Sequence, residues 1–192
     1  MRLLLSLLLL CTTFVRAGAQ APESIPRDTS PAWLGPTSPP SQADTALTRL
    51  LGGPGWELAY PADATAPTTI YEGQVLLGLE GPQRTYRLTL STYANPAETP
   101  IRQWADSFCA HDLQTGCGGS GATLLPTPYP LGSATAQVIV NEGCDEKAYW
   151  FILGHGAHVV LLAFAEHDGS PLTREELRWM GLHIVRSFRW LP

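Results

Sequence analysis

The sequence predicts an α+β fold: an antiparallel β-sheet with helices packed on both faces, an α/β/α sandwich. Three observations predict it. Runs of alternating apolar residues recur between turn-forming clusters. Two segments repeat their apolar residues at helical spacing instead, Ile101 to Cys109 and Leu177 to Phe188. The order is strands, helix, strands, helix, joined by short hairpins, which suits helices laid on one sheet.

The first nineteen residues stand apart from that pattern. Arg2 is followed by the apolar run Leu3 to Leu10 and then by Ala17-Gly18-Ala19, the layout of a secretory signal peptide cleaved before Gln20. The run stops near Val15, short of the roughly 20 residues that span a bilayer as a helix. Cys11 lies inside the apolar run behind Leu10 and is read as part of the discarded peptide. Residues 20–42 carry Pro22, Pro26, Pro31, Pro36, Pro39 and Pro40, which oppose helix and sheet, so they read as an extended, flexible leader. Trp33-Leu34 within it is read as a partly exposed apolar pair in a loose tail; docking on the domain or on a partner is the alternative. Residues 43–192 form one α+β domain, a length that suits one core.

Within that domain Ala43 to Leu51 reads as a short helix stopped by Gly52-Gly53-Pro54-Gly55. Three strands follow, marked by the alternations Trp56/Leu58/Tyr60, Val75/Leu77/Leu79 and Tyr86/Leu88/Leu90. Thr99-Pro100 opens a helix whose apolar face is Ile101, Trp104, Ala105, Phe108 and Cys109 and which Gly116 ends. A loop rich in Gly and Pro runs to Pro130. Ala136/Val138/Val140, Ala148–Leu153 and Val159–Ala165 are three more strands, with turns over 141–146 and 154–157. Val159–Ala165 is apolar on both parities, as a central strand covered on both sides is. Thr173 and Glu176 have the spacing of a capping box, opening a helix whose face is Leu177, Gly181, Ile184, Val185 and Phe188. Gly181 lets that face approach the sheet closely.

Lys plus Arg number 12 against 17 acids, and removal of residues 1–19 would take away Arg2 and Arg16 and no acid. That balance argues against nucleic acid and against a polybasic membrane patch. No apolar stretch after the leader is long enough for a membrane span. Three cysteines remain after cleavage, Cys109, Cys117 and Cys144, and export to an oxidising compartment suits one disulfide. A helix running from Cys109 to Gln114 would carry Cys117 beyond the Cα separation of about 7 Å that a bridge tolerates. Cys117–Cys144 is the preferred pair, with Cys109 a buried thiol or the alternative partner.

Candidate chemistry is sparse. Gly116-Cys117-Gly118-Gly119-Ser120-Gly121 has G-x-G-x-x-G spacing, but it follows a helix where a dinucleotide site needs a strand before it and a helix after it. Ser120 lacks the second Gly and the strand-to-helix turn of a hydrolase elbow. His155 and His158 flank a hairpin turn and are a weak metal candidate, since zinc takes three or four ligands. Cys109 and His111 sit two apart on a helix and point to different faces. Glu142, Asp145 and Glu146 form an acidic turn without the spaced loop of a calcium site. Trp179, beside Leu182 off the main apolar face of the last helix, is the candidate partner contact. No cofactor is expected.

The opening Trp56-Glu57-Leu58-Ala59-Tyr60-Pro61, the aromatic strand, Gly-rich hairpin and apolar strand from Tyr149 to Phe164, and the amphipathic helix closing on Ser187-Phe188-Arg189 together resemble the PsbP-like superfamily. This superfamily takes in extrinsic photosystem II proteins, Ran-binding Mog proteins and DcrB-like envelope proteins. The resemblance covers roughly residues 50–190 and lies in hydrophobic profile, not in a catalytic motif. It implies a sheet with helices on both faces and a role in binding macromolecules. The expectation is an exported, non-enzymatic accessory or binding protein, secreted or periplasmic, with a protein partner in the cell envelope. The alternative is a thiol- or metal-dependent hydrolase using Cys109 or His155/His158.

Overall fold

The fold is taken from a computed structural model, which describes residues 32–41, 45–65, 68–69, 76–82, 85–111, 113, 121–143 and 146–192. Residues 1–31, over which the signal peptide and most of the leader are expected, lie outside these residues, as do Cys117, Cys144 and most of the Gly116–Gly121 motif. The architecture is α+β and mostly antiparallel sheet. Eleven strands and two helices are described: β1 Leu47–Gly53, β2 Trp56–Pro61, β3 Thr68–Thr69, β4 Leu76–Glu80, β5 Arg87–Ala94, α1 Ile101–His111, β6 Ala122–Leu124, β7 Tyr129–Leu131, β8 Ala134–Gly143, β9 Glu146–His155, β10 His158–Glu166, α2 Arg174–Val185 and β11 Arg189–Trp190.

The larger sheet has the order β3-β4-β5-β10-β9-β8-β6, with β7 also paired to β8, and the smaller has the order β1-β2-β11. All their pairings are antiparallel. β10 and β9 lie at the centre, as the doubly apolar Val159–Ala165 run requires. They meet at a two-residue turn, with His155 opposite His158 and Gly156 in the left-handed region at φ 53°. Glycine carries that φ without the Cβ clash that penalises other residues.

The residues expected to open the domain as a helix form β1 instead. Leu47, Leu50 and Leu51 do have helical spacing. However, the Gly52–Gly55 cluster works as a hairpin turn: Gly53 pairs with Trp56 across Pro54 and Gly55, and Gly55 has φ 74°. Proline followed by a left-handed glycine is the arrangement of a type II turn. Pairing with β2 outweighs a helix too short to be stable alone. The loop expected up to Pro130 also contains two short strands, β6 and β7, both stitched to β8. β8 and β9 run on to Gly143 and Glu146, so the expected turn over 141–146 is largely strand.

Alternate residues of the central strands enter two clusters. Val138, Phe151, Leu153, Val160, Leu162 and Phe164 pack with α2 residues Leu177, Met180, Ile184 and Val185, and with Trp56, Leu58 and Tyr60 of β2. Ile139, Ile152, Val159 and Leu161 pack with Ala105 and Cys109 of α1. The Thr173 capping box forms as the spacing predicts. The Thr173 hydroxyl accepts from the Glu176 amide, and the Thr173 amide donates to the Glu176 carboxylate at 2.8 Å. Gly181 also meets its expectation, because any Cβ there would overlap the Phe164 ring. Ser187 ties the end of α2 to β2: its hydroxyl accepts from the Ala59 amide at 2.8 Å.

Candidate functional site

The most constructed region of the surface lies where the leader meets α2 and the central strands. Tyr149 of β9 and Glu166 of β10 share the parity of Phe151, Leu162 and Phe164, so both side chains are carried into the larger core. Glu166 is 2 % exposed. The Tyr149 hydroxyl donates to Glu166 Oε1 at 2.6 Å, and Arg178 of α2 brings its Nε to 3.4 Å from the same oxygen. A buried carboxylate is tolerated when paired and hydrogen-bonded in this way. Burial pushes the Tyr149 phenol far above its usual range, and the hydrogen bond to Glu166 and the carboxylate's charge act in the same direction.

Arg178 also faces outward. Its Nη1 donates to the Leu34 carbonyl at 3.2 Å. Lys147 reaches the Trp33 carbonyl at 3.5 Å while pairing with Glu142 at 2.8 Å. Two cations thus hold consecutive main-chain carbonyls of the leader. The leader's side chains complete the contact. Leu34 is fully buried. Trp33 stands among Tyr129, Tyr149 and Phe151 with ring centroids 6.0, 6.0 and 6.5 Å away. Pro40 is buried as well. Ser38 donates to Glu175 at 3.3 Å, the Ser41 amide donates to Glu176, and His183 Nε2–H donates to the Thr45 carbonyl at 2.8 Å. Between the carbonyl clamps and these later contacts the chain bends at Gly35, φ 74°, where a Cβ would come within 3.1 Å of Arg178 Nη1.

The expectation of a loose tail is therefore corrected for residues 33–41, which pack on the domain. Sequence pattern missed this because Trp33 and Leu34 find their partners more than ninety positions away. A signal existed in the target. Glu166 continues the buried parity of Val160, Leu162 and Phe164, and an acid at such a position announces a buried partner.

The candidate residues from sequence fall in separate places. His155 and His158 sit opposite one another on an exposed turn, and the His155 ring lies 5.2 Å from Trp190. Among the described residues no three His, Cys, Asp or Glu side chains converge as metal ligands. Cys109 is a free thiol, 8 % exposed, packed under α1. Burial raises its pKa, the opposite of what a thiolate nucleophile requires. His111 is exposed at the end of α1. Glu142 of the acidic turn is engaged by Lys147, whose hydrogen bond and charge lower its pKa. The Cys117–Cys144 pairing lies outside the described residues. Leu182 is 2 % exposed and fills the core, so it presents no surface to a partner, contrary to its expected place beside Trp179. Trp179 is half-buried, packed against the core and stacked on His183 at 4.5 Å.

No family model matches the chain, and no characterised protein matches it in sequence. Among solved structures it is similar to a protein from Bacteroides thetaiotaomicron VPI-5482, with 16 % identity and a TM-score of 0.45 over 72 % of this chain and 46 % of that one. The chain thus spans less than half the length of that structure. No helix among the described residues is long and apolar enough to cross a membrane.

Proposed function

We propose that this chain is an exported, non-enzymatic binding module of the cell envelope, built as a PsbP-like α/β/α sandwich. The observation that carries the reading is the seat of residues 33–41. The domain holds this segment, which opens in a turn at residues 32–34, by two main-chain carbonyls and by an aromatic–aliphatic pair, contacts of the kinds that also join separate proteins. The division of β9 and β10 residues between an α1 cluster and an α2 cluster supports the sandwich. The n-region, apolar run and small-residue cleavage pattern of residues 1–19 support export. The raised pKa of Cys109 weighs against the thiol hydrolase.

A photo-crosslinking residue in place of Trp179, introduced into the chain in its native host, tests the reading. The expected product is a discrete adduct with a second envelope protein, formed by mature chain that begins at Gln20. Uncrosslinked chain alone, or chain that keeps residues 1–19 in the cytoplasm, would overturn it.

A further inference from the structure

The central hairpin ends in a pair of histidines that neither core cluster uses. His155 closes β9, His158 opens β10, and the two stand directly opposite one another across the turn. Side chains paired in this way leave the same face of a hairpin, with Cβ atoms about 4.5–5.5 Å apart. That face is the one on which Phe151, Leu153, Val160 and Leu162 enter the larger core, and at the turn it runs out into solvent. The backbone beneath the pair is well held. β9 and β10 stay paired without a break back to Lys147 and Glu166, Gly156 sets the turn, and the Asn95 amide beyond β5 donates to the Ala157 carbonyl at 2.7 Å. Both imidazoles are exposed, and among the described residues no hydrogen bond or ion pair takes up a ring nitrogen of either. His155 rests its ring on Trp190 at an interplanar angle of 30°, a contact that leaves the nitrogens at the ring edge.

We propose that His155 and His158 form a binding site for Cu(II), the two imidazoles taking adjacent corners of a square plane and water filling the rest. Ligand type and number select the ion. Calcium and magnesium take oxygen ligands. Zinc takes three or four protein ligands, and among the described residues no third His, Cys, Asp or Glu converges on the pair. Cu(II) favours tetragonal sites of nitrogen and oxygen, and it stands highest in affinity among the divalent first-row ions at such sites. Two imidazoles on facing strands are brought together before the ion arrives, and strands hold side chains more precisely than loops do. The water-filled positions keep the ion exchangeable, in contrast to the closed shell of a structural metal. The pair lies at the opposite end of β9 from Lys147 and the leader seat, so the site is independent of the binding-module reading.

The test is a Cu(II) titration of the purified chain, its accessible thiols alkylated beforehand, followed by electron paramagnetic resonance and by tryptophan emission. Equimolar copper should give a tetragonal spectrum with hyperfine structure from two nitrogens. It should also quench emission, because the ion sits beside Trp190. His155→Gln and His158→Gln should each lose the two-nitrogen spectrum at equimolar copper while keeping the thermal transition, since both positions are exposed. His111→Gln, at the exposed end of α1, should leave the spectrum unchanged. Trp190→Phe should keep the spectrum and lose most of the quench. Copper uptake that survives both His155→Gln and His158→Gln would overturn the proposal, as would uptake seen only at large molar excess, the mark of adventitious binding. Zinc bound more tightly than copper would overturn the ion assigned. Light scattering should show the same mass with and without copper; a copper-dependent dimer would place the remaining ligands on a second copy and overturn the water-completed site.

Discussion

Single residues set the closest tolerances in this molecule. Gly181 is the clearest, because α2 sits on Phe164 with no room for a methyl group. Gly181→Ala would gain helix propensity of about 1 kcal/mol yet lose more by forcing Phe164 or the helix to shift, an overpacking cost of about 1–3 kcal/mol. Urea denaturation should therefore show net destabilisation; a stabilised variant would mean that α2 rides higher on the sheet than described. Tyr149 makes a second prediction at this scale. Its pKa in the folded chain is raised above the ordinary value near 10, chiefly by burial and then by Glu166. The folded state therefore favours the neutral phenol. That contribution is complete below pH 10 and is lost as pH rises above it, because the unfolded chain releases the proton first. Tyrosinate absorbance should show one residue that ionises only with unfolding, and Tyr149→Phe should flatten the alkaline fall in stability.

At the level of elements, α2 depends on its first turn, and the leader depends on α2. Glu175 and Glu176 of that turn also meet Ser38 and Ser41. Thr173→Ala removes the cap oxygen, at a cost of about 1 kcal/mol, and should speed hydrogen exchange at the Glu176 amide and along residues 33–41 together. Exchange that rises at the cap alone would separate the two. The Thr173 hydrogen bonds lower the Glu176 pKa below its ordinary 4.5, so this support is present above pH 4.5 and fades as pH falls through the lowered value. The elements that could be read from sequence are those whose cause is local. The capping box lies within four residues, the Gly156 turn within two, and the parity of Val159–Ala165 within one strand. β1 could not be read that way. Leu47, Leu50 and Leu51 satisfy a helical face, and only pairing with β2 across Pro54-Gly55 decides for strand. β6 and β7 are three residues each, too short to show a period, and exist because β8 offers them an edge. The candidate site failed for the same reason: Trp33 and Leu34 look like a tail until Arg178, Lys147 and the ring cluster are placed beside them.

Across the whole molecule the leader joins parts that sequence keeps far apart, and His183 makes that joining sensitive to pH. The imidazole lies between the stacked Trp179 ring and the Thr45 carbonyl, to which Nε2–H donates at 2.8 Å, just before the chain enters β1. Burial lowers the His183 pKa from 6.5; the Thr45 hydrogen bond opposes this, and the Arg186 charge adds to the lowering. The folded chain thus prefers neutral His183, whereas the unfolded chain takes up a proton near pH 6.5. The sign follows from linkage: stability from this residue is complete above pH 6.5 and declines as pH falls from 6.5 towards the lowered folded value. The imidazolium keeps its hydrogen bond to Thr45, so the loss comes from placing a desolvated charge beside Arg186 and not from a broken contact. Because Thr45 is the point where the leader hands over to the smaller sheet, protonation loads the junction of leader, α2 and β1 together. Mild acid should therefore lower the urea midpoint and raise hydrogen exchange across residues 33–47, with both effects absent in His183→Gln. A midpoint that falls equally in His183→Gln would assign the pH dependence to other groups and leave the leader's hold on the domain independent of pH in this range.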